Sequence, residues 1–298
     1  MSIWRWLGAA AAAAATAITV VIPTIGSRVA AADAIAPTVI LYGDSLAFEA
    51  QPAFEDALVH AGITDVHSET FGGTALCDWL DEMQTDASAL HPSAVVIEFS
   101  GNAFTPCMYA DGLPLRGDAY YAKYVADAVE ALRIFTPLGT RVYFVGAPTS
   151  RQMATDHDPN AGRLAGLYSA VAELTGTEYV DAGAAVLDRG VWTETLPCLP
   201  EEPCTGGVDA SGRPINIVRA PDGMHFCPAA PDAVRGVTGA CPVWSSGAFR
   251  FGTAMAAPVI HDLQSDGRRS LGRRGTVRAG VDLAPPVPAP RPARDRHR

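Results

Sequence analysis

The feature that most restricts the fold is an alternation. Short strand-like runs, the clearest of them apolar and rich in β-branched residues and ending in turn residues, are separated by longer segments with apolar residues at helical spacing. The runs cover residues 38–41, 64–71, 94–99, 141–145 and 177–180. Each is too short for a helix and is bounded by Gly, Asp, Ser or Pro, so each reads as a strand. Between them, residues 48–60, 120–135 and 160–174 read as helices, with a shorter amphipathic segment at 76–83 and a last helix within 245–263. In the longest, Tyr121, Val125, Val129, Leu132 and Phe135 recur on one face. Such alternation implies an α/β fold with three layers, α/β/α, around a central parallel five-stranded sheet, and a flavodoxin-like strand order is the one considered for it. In that order the first three strands run 2-1-3, and their carboxyl-end loops meet at one switch point.

The two ends fall outside the pattern. Arg5, an apolar run over 7–22, a Pro23/Gly26 break and Val29-Ala30-Ala31-Ala32 give residues 1–32 the layout of a secretory signal peptide or an N-terminal anchor. Both readings export the rest, so a secreted, extracellular protein or a membrane-anchored one is expected. Residues 266–298 are Arg/Gly-rich and then Pro/Ala/Arg-rich, a composition for a disordered tail. The folded domain is then 33–265. Two arginines precede Asp33, and nine arginines against two aspartates follow Gly267, so residues 33–267 hold 30 acidic and 11 basic side chains. So acidic a body argues against nucleic acid and favours a neutral small-molecule or glycan ligand. The exported chain is expected to be a monomer, with cell-envelope association through the N-terminal segment or the basic tail.

Six cysteines in an exported chain point to disulfides, and the absence of Cys-x-x-Cys points away from structural zinc. Cys198 and Cys204 bracket a proline-rich loop and Cys227 and Cys241 bracket another, which leaves Cys77 for Cys107. The stretch 187–220 breaks the strand-helix beat. It reads as a long loop beside the site, in the manner of a lid, with a hairpin-like piece at 208–215.

Candidate chemistry begins where the first strand ends, at Gly43-Asp44-Ser45-Leu46. A serine hydroxyl needs a base within hydrogen-bond reach, itself oriented by a third group. Of the seven histidines, His60, His67 and His91 lie at element ends, His157 in a turn, His261 in a helix and His297 in the tail. His225 stands in a late loop with Asp222 three residues ahead, where a turn through Gly223 can set the carboxylate against the imidazole. Asp181, after the fifth strand, is the reserve candidate for the acid. Donors for a developing oxyanion are offered by the loops after strands two and three: Gly73, or its neighbour Gly72, and Asn102.

In combination these positions resemble the SGNH hydrolase superfamily, the GDSL esterases and lipases, over residues 36–263. Gly43-Asp44-Ser45-Leu46 matches the nucleophile block, Gly72-Gly73 the oxyanion glycine, Asn102 the asparagine, and Asp222-Gly223-Met224-His225 the Asp-x-x-His block. The resemblance implies Ser45 as nucleophile, His225 as base and then acid, and Asp222 as its orienting acid. It implies the Ser45 and Gly73 N–H groups with the Asn102 side chain as the oxyanion hole, and no metal or organic cofactor. One block departs: Ser100-Gly101-Asn102-Ala103 replaces the usual Gly-x-Asn-Asp. The activity implied is hydrolysis of acyl esters, short-chain or O-acetyl. The alternatives are an O-acyltransferase to a sugar hydroxyl using the same serine, and a noncatalytic envelope-binding protein on a hydrolase fold.

Overall fold

The computed structural model describes residues 36–228, 241 and 243–276, the last nine in backbone only. The expected signal or anchor segment, His297 and most of the expected tail lie outside the described residues.

Strand β1 (Thr38–Gly43) leads into α1 (Ser45–His60), and β2 (Asp65–Thr70) is followed by a 3-10 turn and α2 (Leu80–Leu90). After β3 (Ala94–Glu98) comes a loop holding the small hairpin of β4 (Tyr109–Ala110) and β5 (Leu113–Pro114), then α3 (Gly117–Phe135). Next are β6 (Arg141–Val145), a single-turn α4 (Arg151–Thr155), α5 (Arg163–Thr175) and β7 (Glu178–Val180). Two antiparallel pairs follow, β8 (Leu187–Asp188) with β9 (Val191–Trp192) and β10 (Thr195–Pro197) with β11 (Ile215–Ile217), before α6 (Ser246–Thr276).

The main sheet has the order β2-β1-β3-β6-β7 and is parallel throughout, the three-layer arrangement expected from the alternation. Side chains of a strand point alternately to opposite faces. Accordingly Val39, Leu41, Ala94, Val96, Tyr143 and Val145 pack under α1 and α6, whereas Ile40, Tyr42, Val95, Ile97, Val142 and Phe144 pack under α2, α3 and α5. Because helices cover both faces, the central strands are apolar without a break instead of alternating. A fully buried side chain of this size contributes roughly 1.5–3 kcal/mol, so the sheet centre is the most firmly held part of the molecule. The carboxyl ends of β1, β2 and β3 are thereby fixed side by side.

Several boundaries differ from the sequence reading. The third strand stops at Glu98, and the short segment expected at 76–83 is a 3-10 turn over Leu76–Trp79 plus a helix reaching Leu90. Helix α6 passes both the expected end at 263 and the tail boundary at 266; no proline interrupts it between Pro258 and Pro285, and Arg and Leu are good helix formers. The expected long loop at 187–220 carries two short antiparallel pairs of two- and three-residue strands within otherwise irregular chain, and the hairpin-like piece is closed by a Val208–Pro214 bridge. Strands so short leave no periodic trace in the sequence. Among the described residues no helix is long and apolar enough to cross a membrane.

Candidate active site

Ser45 is the first residue of α1, directly after the N-cap. Asp44 caps the helix, its Oδ1 accepting from Leu46 N at 3.0 Å. Its other oxygen, Oδ2, accepts from Ser100 N at 2.7 Å, Ser100 Oγ at 2.6 Å and Asn102 Nδ2 at 3.0 Å, so the turn after β1 is tied to the loop after β3. The Ser45 N–H meets no acceptor among the described residues and stands at the positive end of the helix dipole.

Although 180 residues separate them in sequence, His225 Nε2 lies 2.9 Å from Ser45 Oγ. On the other side of the ring, Nδ1 lies 2.7 Å from Asp222 Oδ2, which places the proton on Nδ1 and leaves Nε2 to accept from the serine hydroxyl. Asp222 is itself fixed, its Oδ1 accepting from Met224 N at 2.9 Å and His225 N at 3.1 Å. The turn depends on Gly223, at φ +78°: a Cβ there would stand 2.4 Å from Arg151 Cβ. From outside, Trp192 Nε1 and Arg151 N both donate to Gly223 O, at 3.0 and 2.8 Å, and Arg219 Nη1 donates to Met224 O at 3.1 Å.

Electrostatics follow from this packing. Burial works to lower the His225 pKa, but the hydrogen bond to Asp222 and the charges of Glu49, Asp222 and Asp44 outweigh it and hold the imidazole above its ordinary value. Burial likewise opposes ionisation of Asp222, yet the bonds from His225 and from the Met224 and His225 N–H groups keep it well below the usual carboxylate range. Burial lowers Arg219 to about 10, against the pull of Asp222.

The oxyanion candidates divide. Thr74 N donates to Phe71 O at 3.4 Å, closing a turn in which Gly73 takes φ +85°, the left-handed position that favours glycine. Neither the Gly73 nor the Gly72 N–H meets an acceptor among the described residues, and Gly73 is solvent-exposed. Asn102 is different. Its Nδ2 donates to Asp44 Oδ2 at 3.0 Å and to Thr74 O at 2.9 Å, so both amide hydrogens are engaged within the protein. The sequence reading gave the Asn102 side chain as an oxyanion donor; in the structure its amide lies between two loops and bonds an acceptor on each. Asp181, the reserve acid, follows β7 directly as the N-cap of a 3-10 turn and makes no bond to His225. His60 and His67 pair with Asp56 and Asp65, His91 caps α2 and His261 is exposed beside Asp262, all away from Ser45.

The three disulfides join Cys77 to Cys107, Cys198 to Cys204 and Cys227 to Cys241, the pairs expected from position. The first links the loop after Gly73 to the loop after Asn102.

Sequence comparison adds a family. The model described as "Protein of unknown function (DUF459)" matches residues 38–236, two thirds of the chain, from β1 past His225. The chain belongs to this family. Among curated proteins no sequence match was found. Solved structures similar to this DUF459 chain include a GDSL-like lipase of Bacteroides thetaiotaomicron, 11% identical with a TM-score of 0.45, covering 76% of this chain and 88% of that one. An acetylxylan esterase of Geobacillus stearothermophilus, as a catalytic mutant, is 14% identical with a TM-score of 0.40, covering 50% and 77%. A protein named TesA is 20% identical with a TM-score of 0.42, covering 67% and 93%. In this DUF459 chain the sheet order β2-β1-β3-β6-β7 sets the carboxyl ends of β2, β1 and β3 side by side.

Proposed function

We propose that the protein is a secreted serine esterase that hydrolyses acyl esters, short-chain or O-acetyl, through an acyl-serine intermediate. The observation that carries this reading is the unbroken chain Ser45 Oγ, His225 Nε2, His225 Nδ1, Asp222 Oδ2, with contacts of 2.9 and 2.7 Å. Ser45 Oγ attacks the ester carbonyl as its proton passes to His225 Nε2. The carbonyl oxygen becomes an oxyanion facing the Ser45 and Gly73 N–H groups, which supply donors without reorganisation. His225 then returns the proton to the leaving alcohol, and the carbonyl re-forms as acyl-Ser45. A water, deprotonated by the same nitrogen, attacks that ester and releases the acid with Ser45 restored. Asp222 keeps the imidazole in the correct tautomer and offsets the charge it acquires. Export is supported by the N-terminal sequence and by three disulfides, which persist in oxidising compartments.

The test is hydrolysis of para-nitrophenyl acetate, butyrate and octanoate by wild type and Ser45→Ala. Wild type is expected to turn over the shorter esters, and the variant to lose at least about 10³-fold in kcat. Equal rates from the two proteins would remove Ser45 from the reaction.

A further inference from the structure

Glu49 lies on α1 one turn beyond Ser45 and has no place in any motif of the sequence. Its Oε2 accepts two backbone hydrogen bonds from the base loop, from Phe226 N at 2.6 Å and Cys227 N at 3.0 Å. Those are the two residues directly after His225. The other described ties to this loop come from elsewhere: Trp192, Arg151 and Arg219 hold Gly223 and Met224, and Ser245 Oγ donates to Phe226 O at 2.7 Å. Apart from the Ser45–His225 contact itself, Glu49 is the described side chain that bonds the helix of the nucleophile to the loop of the base.

Building on the esterase reading, we propose that Glu49 is a positioning residue that clamps the His225 loop onto α1 and places a negative charge beside the imidazolium formed when Ser45 loses its proton. Two roles follow from one side chain. Geometrically, a carboxylate oxygen receiving two convergent N–H groups fixes the loop's distance from α1, and proton transfer is sensitive to shifts of about half an ångström. Electrostatically, a neutral acceptor could hold the two N–H groups, but only an ionised one adds field at the base. The charged and titratable groups facing His225 are Asp222 on its own loop, Glu49 from α1 and Asp44 from the turn before α1, with Arg219 acting on Asp222. Burial raises the Glu49 carboxyl above its ordinary value, against the pull of the two N–H bonds and of His225.

The experiment compares wild type, Glu49→Gln and Glu49→Asp. The imidazole of His225 is titrated by NMR, and kcat and KM are followed against pH with para-nitrophenyl acetate. Gln keeps an acceptor oxygen of the same reach and loses the charge. It is expected to lower the His225 pKa by about half a unit or more and to reduce kcat about tenfold, with KM within about twofold. Asp keeps the charge and loses the reach, so it is expected to leave the imidazole titration near that of wild type while kcat falls. An unchanged His225 titration in Glu49→Gln, with wild-type kcat, overturns the proposal. The titration needs no turnover: a downward shift in a protein whose wild type cleaves no ester would sink the esterase reading and keep the clamp.

Discussion

Two carboxyl groups share the buried space beneath the nucleophile. Glu98 is wholly buried at the end of β3; its Oε2 accepts from Ala47 N at 3.1 Å, and its Oε1 has no partner among the described residues. Burial, and after it the charge of Asp44, raises Glu98 well above the usual carboxylate value. The sign of the linkage follows. Above the unfolded value of about 4.5 and up to the folded one, the native state holds a proton that the unfolded chain has lost, so stability falls as pH rises through that window. Within it the slope approaches about 1.4 kcal/mol per pH unit. Glu98→Gln mimics the protonated acid, and its melting temperature relative to wild type should therefore climb as pH rises above the ordinary carboxylate range. A gap that stays constant with pH would show that Glu98 carries no extra proton. Neither Glu98 nor Glu49 was legible in the sequence, and the cause is the same for both. Their partners are backbone N–H groups and a neighbouring acid, brought close only by folding, in the case of Glu49 across 177 residues. Ser45, His225 and Asp222 were legible as candidates because their proposed chemistry lies in the side chains themselves.

At the level of elements, the loops after β2 and β3 act as one unit. They are joined by the Cys77–Cys107 disulfide and again by Asn102 Nδ2 donating to Thr74 O at 2.9 Å. The Gly73 N–H, one of the two proposed oxyanion donors, sits on the first of these loops. Replacing both cysteines by serine opens a loop of 30 residues, which lowers stability by about 2–4 kcal/mol. It also lets the Gly73 turn drift, so kcat/KM for a short ester should fall about tenfold. Opening Cys198–Cys204 should lower the melting temperature with less effect on kcat/KM, because that bridge lies between β10 and β11 and holds no proposed donor. Equal kinetic effects from the two bridges would mean that neither positions the oxyanion hole. The central strands and the longer helices were readable because their burial imposes a period on the sequence. The pairs β8–β9 and β10–β11 were not, since strands of two or three residues impose none; yet it is β9 that supplies Trp192 against Gly223.

For the whole molecule the governing quantity is charge. With 30 acidic and 11 basic side chains between residues 33 and 267, the body repels itself and any anionic ligand. Some acids are neutralised locally: Arg141 bridges Asp262 and Asp266, Arg163 meets Asp118, and buried Arg250 meets Glu202. Most of the excess has no such partner to spare, because the cations are too few. Screening then separates long-range repulsion from these short contacts, since the Debye length falls from about 30 Å at 0.01 M salt to about 8 Å at 0.15 M. Raising NaCl from about 10 mM to about 300 mM at pH 7.5 should therefore raise the melting temperature; a fall would mean that the arginine pairs outweigh the repulsion. The same field acts on substrate approach. For an ester whose acyl chain ends in a carboxylate, kcat/KM should increase over this salt range, as the barrier to an anion entering an acidic surface is screened. For para-nitrophenyl acetate, which carries no charge, kcat/KM should stay within about twofold. If the anionic ester instead slows as salt rises, the site entrance attracts anions in spite of the acidic body, and the preference for neutral esters fails with it.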